Sequence, residues 1–216
     1  MKNIKFISVM FLLLFARGCD FYSTSLWIFQ ENGLEGEMNP LTQHFGVGWN
    51  GLVLANVAVL LLVGFCYYIY VFKYKMNNNL ELKPKNALEY VSILYYGSKN
   101  KLWKLFYKVP KNRTVAIALT GYIATWSIII ASFLAMAHNM LIFYGNYYYN
   151  SFMESIEYSM VVFYGIAFSP LIYFSIRLYK IEFKEYQKLK SVNWNDIEHC
   201  ISDQLPFGQP LDMLGR

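Results

Sequence analysis

Long apolar stretches bounded by basic residues are the feature that most constrains how this chain folds. The lysines and arginines fall in three groups, at 2–5, 73–113 and 177–216, and only Arg17 lies deep inside an apolar stretch. The connections at 30–48 and 145–155 have no lysine or arginine but carry glutamates. Because short loops rich in lysine and arginine stay in the cytoplasm during insertion, this alternation predicts four membrane spans with both termini in the cytoplasm.

Each of the four apolar stretches is long enough for a helix that crosses a bilayer. A hydrocarbon core of about 30 Å takes about 20 apolar residues of helix. The stretches lie at about residues 4–29, 49–72, 115–144 and 156–179. We therefore predict an all-α membrane protein, a four-transmembrane-helix bundle at residues 1–180 with a cytoplasmic tail at 181–216. The net charge of +5 follows from this topology, and we predict no nucleic-acid partner.

The longest cytoplasmic connection, at 73–114, is predicted to be amphipathic. A helix is expected to open at Pro84 and to end at Gly97. Beyond it, lysines interleave with aromatic residues from Lys99 to Lys111, which favours a segment lying on the membrane surface in contact with anionic lipid. A protein-docking site is the alternative. The lipid bilayer is the main predicted partner, and a homo-oligomer or a protein partner stays open.

The first span carries a stripe of polar residues. Arg17, Asp20 and Thr24 recur at spacings of three and four, so they share one helix face. A charge in hydrocarbon is costly, so this face is predicted to contact other helices or a wet cavity. Arg17 and Asp20 are correctly spaced to pair with each other. We expect structural roles for Arg17 and for Asn56, the main polar group of the second span.

Several polar groups are predicted to lie at a similar level near the outer face. If they converge, they form a pocket that can hold a divalent metal, relay protons or bind a polar headgroup. The alternative is that they form only hydrogen bonds between helices, each contributing about 0.6–2 kcal/mol. The sequence has no recognisable zinc, phosphate-binding or nucleophile motif, so no cofactor is assigned. The candidate binding residues are Asp20, Thr24, Glu37, Asn39, His138 and Glu157.

Two short motifs resemble an uncharacterised family of small prokaryotic multi-span membrane proteins. They are Asp-x-x-x-Thr at Asp20 and Thr24, and Glu-x-Asn-Pro at Glu37, Asn39 and Pro40. The resemblance covers the first third of the chain. It implies a helical fold in the cytoplasmic (inner) membrane of a prokaryote, and it implies no activity. In physical terms, the Asn-Pro pair predicts a rigid turn, with Pro40 structural, that folds Glu37 back over the end of the first span.

The start of the chain has a second interpretation. Residues 1–15 resemble a signal peptide, and the residues before Cys19 resemble a lipoprotein cleavage site, which would leave three spans. Small neutral residues are preferred before a cleavage point, and Arg17 is neither small nor neutral. The apolar sequence also continues beyond Cys19. We therefore predict that the first span is retained.

Three functions are compatible with these features. The first hypothesis is a binding or transport component in which Asp20 and its neighbours hold an ion or a polar headgroup. The second is a metal-assisted membrane enzyme that uses Asp20, Glu37 and His138. The third is a scaffold or assembly protein that acts through the segment 73–113 and the tail. No substrate and no reaction follow from the sequence.

Overall fold

The computed structural model describes residues 2–28, 45–76, 80 and 82–204, with side chains as far as 191. These residues are almost entirely helical, and no strand occurs among them. A π-helical turn, Ile69–Lys73, prolongs the second helix, and a 3-10 turn, Leu102–Phe106, precedes the fourth. The α-helices are α1 Lys2–Ile28, α2 Trp49–Tyr68, α3 Ala87–Tyr96, α4 Arg113–Phe143, α5 Tyr147–Ser155 and α6 Ser159–Gln204.

Within the described residues, three helices are long and apolar enough to cross a membrane. They are Trp49–Lys73, Arg113–Phe143 and the part of α6 at Ser159–Ser191. Each of these helices has an apolar part of 18 residues, and 44% of this part is buried inside the molecule in α4, compared with 22% in α2 and 11% in α6. The fourth helix is therefore the central one. The prediction of a helical protein with helices of membrane-crossing length is confirmed.

Two clusters of buried side chains hold the helices together. The first joins α1, α2 and α4 and includes Leu13, Tyr67 and Ile129. The second lies where α3 packs against α4 and α6, and it includes Tyr90 and Leu178. Because α1 contributes fully buried side chains to the first cluster, it is an integral part of the bundle.

Helices α2 and α4 approach each other closely at Gly121. A Cβ atom at this position would lie 2.4 Å from the backbone carbonyl carbon of Cys66, closer than any side chain can come. The small residues of the third apolar stretch, spaced from Thr120 to Ala135, predict a close approach of this kind. Thr120 itself is exposed, however, and its buried neighbour Gly121 makes the contact.

The helix before the basic–aromatic segment is short and well capped. The prediction that it ends at Gly97 is confirmed, since this glycine has a φ of 68° and its N–H donates to the carbonyl of Ile93. It begins later than Pro84, because the side chain of Asn86 accepts a hydrogen bond from the N–H of Glu89 and caps the first turn. The basic–aromatic segment that follows contains the 3-10 turn Leu102–Phe106. It does not contain the longer surface helix that was predicted.

Two regions differ from the predicted span limits. The predicted loop at 145–155 contains α5, whose N-cap residue Asn146 accepts a hydrogen bond from the N–H of Tyr149 at 3.0 Å. The last span, predicted at 156–179, corresponds to a helix that begins at Ser159 and continues without a break to Gln204. It extends past 179 because Glu182 and Tyr186 continue the buried face begun by Leu178.

Candidate functional site

The polar stripe of α1 lies against α2 and α4 and is hydrogen-bonded to both. The guanidinium of Arg17 donates to the carboxylate of Asp20, to the amide oxygen of Asn56 in α2 and, at 3.1 Å, to the hydroxyl of Ser132 in α4. The side chains of Arg17 and Asp20 are 21% and 13% exposed. The predicted pairing of these two charges is therefore present, and it joins three helices. We call these four residues, with Ser23, Thr24 and Asn139, the polar network.

Local geometry fixes the orientation of each partner in this network. Arg17 and Asp20 are three residues apart, so their side chains lie one above the other on α1. The amide nitrogen of Asn56 donates to the carbonyl of Leu52 at 2.8 Å, which turns its oxygen toward the guanidinium. The guanidinium carbon also lies 5.9 Å from the ring centroid of Phe21, a cation–π distance.

A second layer of hydrogen bonds lies one turn further along α1. The amide nitrogen of Asn139 in α4 donates to the hydroxyls of Ser23 at 3.2 Å and Thr24 at 3.3 Å. The fully buried Ser23 donates in turn to the carbonyl of Asp20 at 2.8 Å. Ser23 was not predicted, because a small hydroxyl in a helix is usually satisfied by its own backbone and attracts no attention in a sequence.

His138 lies beside Asn139 in sequence but faces different helices. Its Nδ1 lies 2.6 Å from the hydroxyl of Tyr149 in α5, and its ring stacks on Phe163 of α6 with centroids 4.0 Å apart. Burial raises the pKa of the Tyr149 phenol, so this hydroxyl keeps its proton at neutral pH. Among the described contacts, no hydrogen bond joins His138 to α1, so the structure does not bring His138 and Asp20 into one pocket.

Of the other predicted members of the pocket, Thr24 lies in the polar network and Glu157 does not. Glu157 is exposed in the turn between α5 and α6. Glu37, Asn39 and Pro40 lie outside the described residues. The turn that is predicted to fold Glu37 back over the end of the first span therefore stays a prediction. Within the part of the chain that the structure describes, no group of three or more histidine, cysteine, aspartate or glutamate side chains is arranged to hold a metal ion.

A cavity of about 300 Å³ lies beside His138, between α4, α5 and α6. Tyr149 and Phe163 form part of its wall, together with Val162 and Ile166 of α6. Apart from the His138–Tyr149 pair, the wall is almost wholly apolar. The structure thus separates a polar network on one side of α4 from an apolar cavity on the other.

A second buried carboxylate, Glu182, was missed by sequence reasoning. Its side chain is only 5% exposed, and it accepts a hydrogen bond from the hydroxyl of Tyr74 at 2.7 Å. Burial, and then this hydrogen bond, raise the pKa of the Tyr74 phenol. The alternating charges between 180 and 190 are typical of a solvated helix. The signal that was available is the spacing of Leu178, Glu182 and Tyr186, which places all three on one helix face.

Comparison of the chain with protein-family models, with curated proteins and with solved structures finds no match. The fold and the site therefore define its class only as a helical protein with three helices of membrane-crossing length and a charged network between α1, α2 and α4.

Proposed function

We propose that the chain is an integral protein of a prokaryotic cytoplasmic membrane, with four spans and both termini in the cytoplasm. We further propose that it binds an ion or a polar headgroup at the polar network, as a binding or transport component. The observation that carries the proposal is the Arg17–Asp20 pair, bonded to α2 and α4 from within the bundle. A charged pair at membrane depth is costly to maintain, which favours a functional use.

The length and packing of α1 support the proposal that it also crosses the membrane, which brings the number of spans to four. Its 27 residues reach about 40 Å at 1.5 Å per residue, which exceeds the hydrocarbon thickness of about 30 Å. Leu13 and Ala16 are completely buried in the first cluster. Cleavage before Cys19 would remove both of them together with Arg17, which favours a retained span over a lipoprotein.

The chemistry of the pair suits a ligand that carries charge. The described hydrogen bond from Arg17 reaches one of the two carboxylate oxygens of Asp20, and the other is proposed to hold a cation or an ammonium group. The guanidinium of Arg17 suits a phosphate. The second layer, with Thr24 and Asn139, extends the polar surface toward the outer end of α1. Together these groups support entry of the ligand from the outer face.

The test is whether ligand retention depends on Asp20. The full chain would be incubated with vesicles of phosphatidylethanolamine and phosphatidylglycerol, extracted in mild detergent and weighed by native mass spectrometry. Thermal unfolding in sodium chloride and in choline chloride would be measured in parallel. We expect Asp20→Asn to lose either lipid retention or the stabilisation by sodium, which distinguishes a headgroup from an ion.

The matched control is Glu154→Gln, which neutralises an exposed carboxylate in α5 and is expected to behave as the wild type. The proposal fails if Asp20→Asn folds, retains phospholipid and responds to sodium as the wild type does. In that case the polar network serves only to hold the helices together.

The basic–aromatic segment between α3 and α4 is proposed to contact the anionic inner surface of the membrane. Trp103 and Val109 are exposed, and Phe106 is 93% exposed, although large apolar side chains in water are unfavourable. Lysines interleave with them, so both the apolar and the charged attraction to a lipid surface are available. Replacing Lys101, Lys104 and Lys108 by glutamine should reduce retained phosphatidylglycerol, leaving phosphatidylethanolamine unchanged.

A further inference from the structure

The apolar cavity between α4, α5 and α6 has the size and composition of a ligand site. Its volume of about 300 Å³ lies at the lower end of the range of small-molecule pockets, about 300–1,000 Å³. Leu141 of α4, Met153 of α5 and Ile166 of α6 all contribute to the wall. A cavity of this composition excludes ions and favours a hydrocarbon chain.

The wall of this cavity includes a hydrogen-bonded pair of polar side chains. His138 is buried, its ring is held by the stack on Phe163, and its Nδ1 is 2.6 Å from the Tyr149 hydroxyl. When the phenol donates to Nδ1, the imidazole proton lies on Nε2, and the phenol oxygen keeps a free lone pair. Beyond its own hydrogen bond, the pair then has one donor and one acceptor, which is the complement of a carboxyl or hydroxyl group.

We propose that this cavity binds a single-chain amphiphile, with its hydrocarbon chain between the three helices and its terminal oxygen at the His138–Tyr149 pair. The ligand class is a long-chain carboxylic acid or alcohol. The site is independent of the polar network, because Asn139 faces α1 while His138 faces α5 and α6. It stands whether or not Asp20 binds an ion or headgroup.

Binding would be measured on the purified full chain in mild detergent, with dodecanoic acid as the probe and native mass spectrometry as the readout. Dodecanol and dodecane serve as competitors at equal concentration. We expect dodecanol to displace the acid and dodecane to displace it far less, because only the alcohol can hydrogen-bond to the pair. Equal displacement by dodecane would overturn the role of the pair.

A matched pair of variants locates the site. Val162 lines the cavity, whereas its neighbour Val161 does not and is 68% exposed. Val162→Phe fills the cavity and should weaken binding of the acid at least about tenfold, whereas Val161→Phe should leave it unchanged. Equal binding by both variants would place the ligand elsewhere and overturn the proposal.

A third variant keeps the test decisive if Val162→Phe does not fold. Tyr149→Phe removes one hydroxyl and leaves the shape of the cavity intact. It should weaken binding of the acid and the alcohol about fivefold, the effect of one hydrogen bond. Unchanged affinity in a folded Tyr149→Phe protein would contradict the proposed position of the terminal oxygen.

Discussion

Arg17 is the residue whose surroundings do most to define α1. A guanidinium within an apolar helix needs a counter-charge and further acceptors, and it has Asp20, Asn56 and Ser132. Such a pair behaves asymmetrically on mutation. Removing one member leaves a buried charge without its partner, whereas replacing both by apolar side chains leaves no charge to desolvate.

We therefore expect Arg17→Met to destabilise the protein by about 3–5 kcal/mol. The double variant Arg17→Met, Asp20→Leu should lose much less, because it restores a neutral apolar contact. Thermal unfolding of the detergent-solubilised proteins checks this order. A double variant that is less stable than both single variants would contradict it, since the charges would then act independently.

At this scale, the sequence predicted pairs that are local and failed for pairs that depend on helix packing. The Arg17–Asp20 pair follows from a spacing of three residues on one helix. Ser132 joins it only because α4 lies against α1, and no periodicity gives that lateral arrangement. The position of His138 has the same cause. Side chains of helical neighbours point about 100° apart, so His138 contacts α5 and α6 whereas Asn139 contacts α1.

At the scale of the helices, the close contact between α2 and α4 can be tested by adding a single methyl group at Gly121. Gly121→Ala would place a methyl group within 2.7 Å of three atoms of Cys66, two of them in the backbone. The two helices must then separate, and the expected cost is about 1–3 kcal/mol, as for other overpacked cores.

Gly165 in α6 provides the matched control for this substitution. A Cβ atom there meets nothing within 4 Å, so Gly165→Ala should be neutral or up to about 1 kcal/mol stabilising. The two variants would be compared by thermal unfolding. Equal stability of Gly121→Ala and Gly165→Ala would show that α2 and α4 adjust freely at this contact.

The continuation of α6 beyond residue 179 provides the second test at the scale of elements. Glu182 and Tyr186 are buried with Tyr90 and Leu178 in or beside the second cluster. Deleting 180–216 would expose that cluster, whereas deleting 192–216 would keep every described side-chain contact. We expect the longer deletion to lower the unfolding temperature well below that of the shorter one. Equal loss in both would place the stabilising contacts beyond 191.

Helix limits show which elements a sequence can specify. The limits of α4, and of α2 together with its π-helical turn, were predicted to within two residues, because the length of an apolar stretch sets them directly. The short helix α5 was missed because its nine residues are too few to cross a bilayer. The available cues were Asn146 as a capping residue and the helical spacing of Tyr149, Phe152 and Met153. The charge pattern of the continuation of α6 is typical of a solvated helix because only one residue in each turn is buried there.

At the scale of the whole molecule, the surface gives the clearest evidence of its surroundings. Leu54 and Leu61 on α2, and Phe168 and Ile172 on α6, are all exposed. Soluble monomers rarely expose apolar faces of this extent, so these faces require lipid or another protein. The lysines of 73–113 flank the end of α2 and the start of α4, which favours placing those two ends at the same membrane surface.

This arrangement predicts which positions a membrane-impermeant maleimide reaches. In a chain with Cys19, Cys66 and Cys200 replaced by serine, single cysteines would be introduced at Tyr148, which is 84% exposed, and at the exposed Lys85 and Lys188.

Tyr148→Cys should be labelled in intact cells, whereas Lys85→Cys and Lys188→Cys should be labelled only after permeabilisation. Labelling of Lys85→Cys in intact cells would rule out the proposed orientation. A chain cleaved at Cys19 would give the same labelling pattern, because the new N-terminus would lie outside. The intact mass of the purified wild-type protein therefore completes the test, since only the full mass supports four spans.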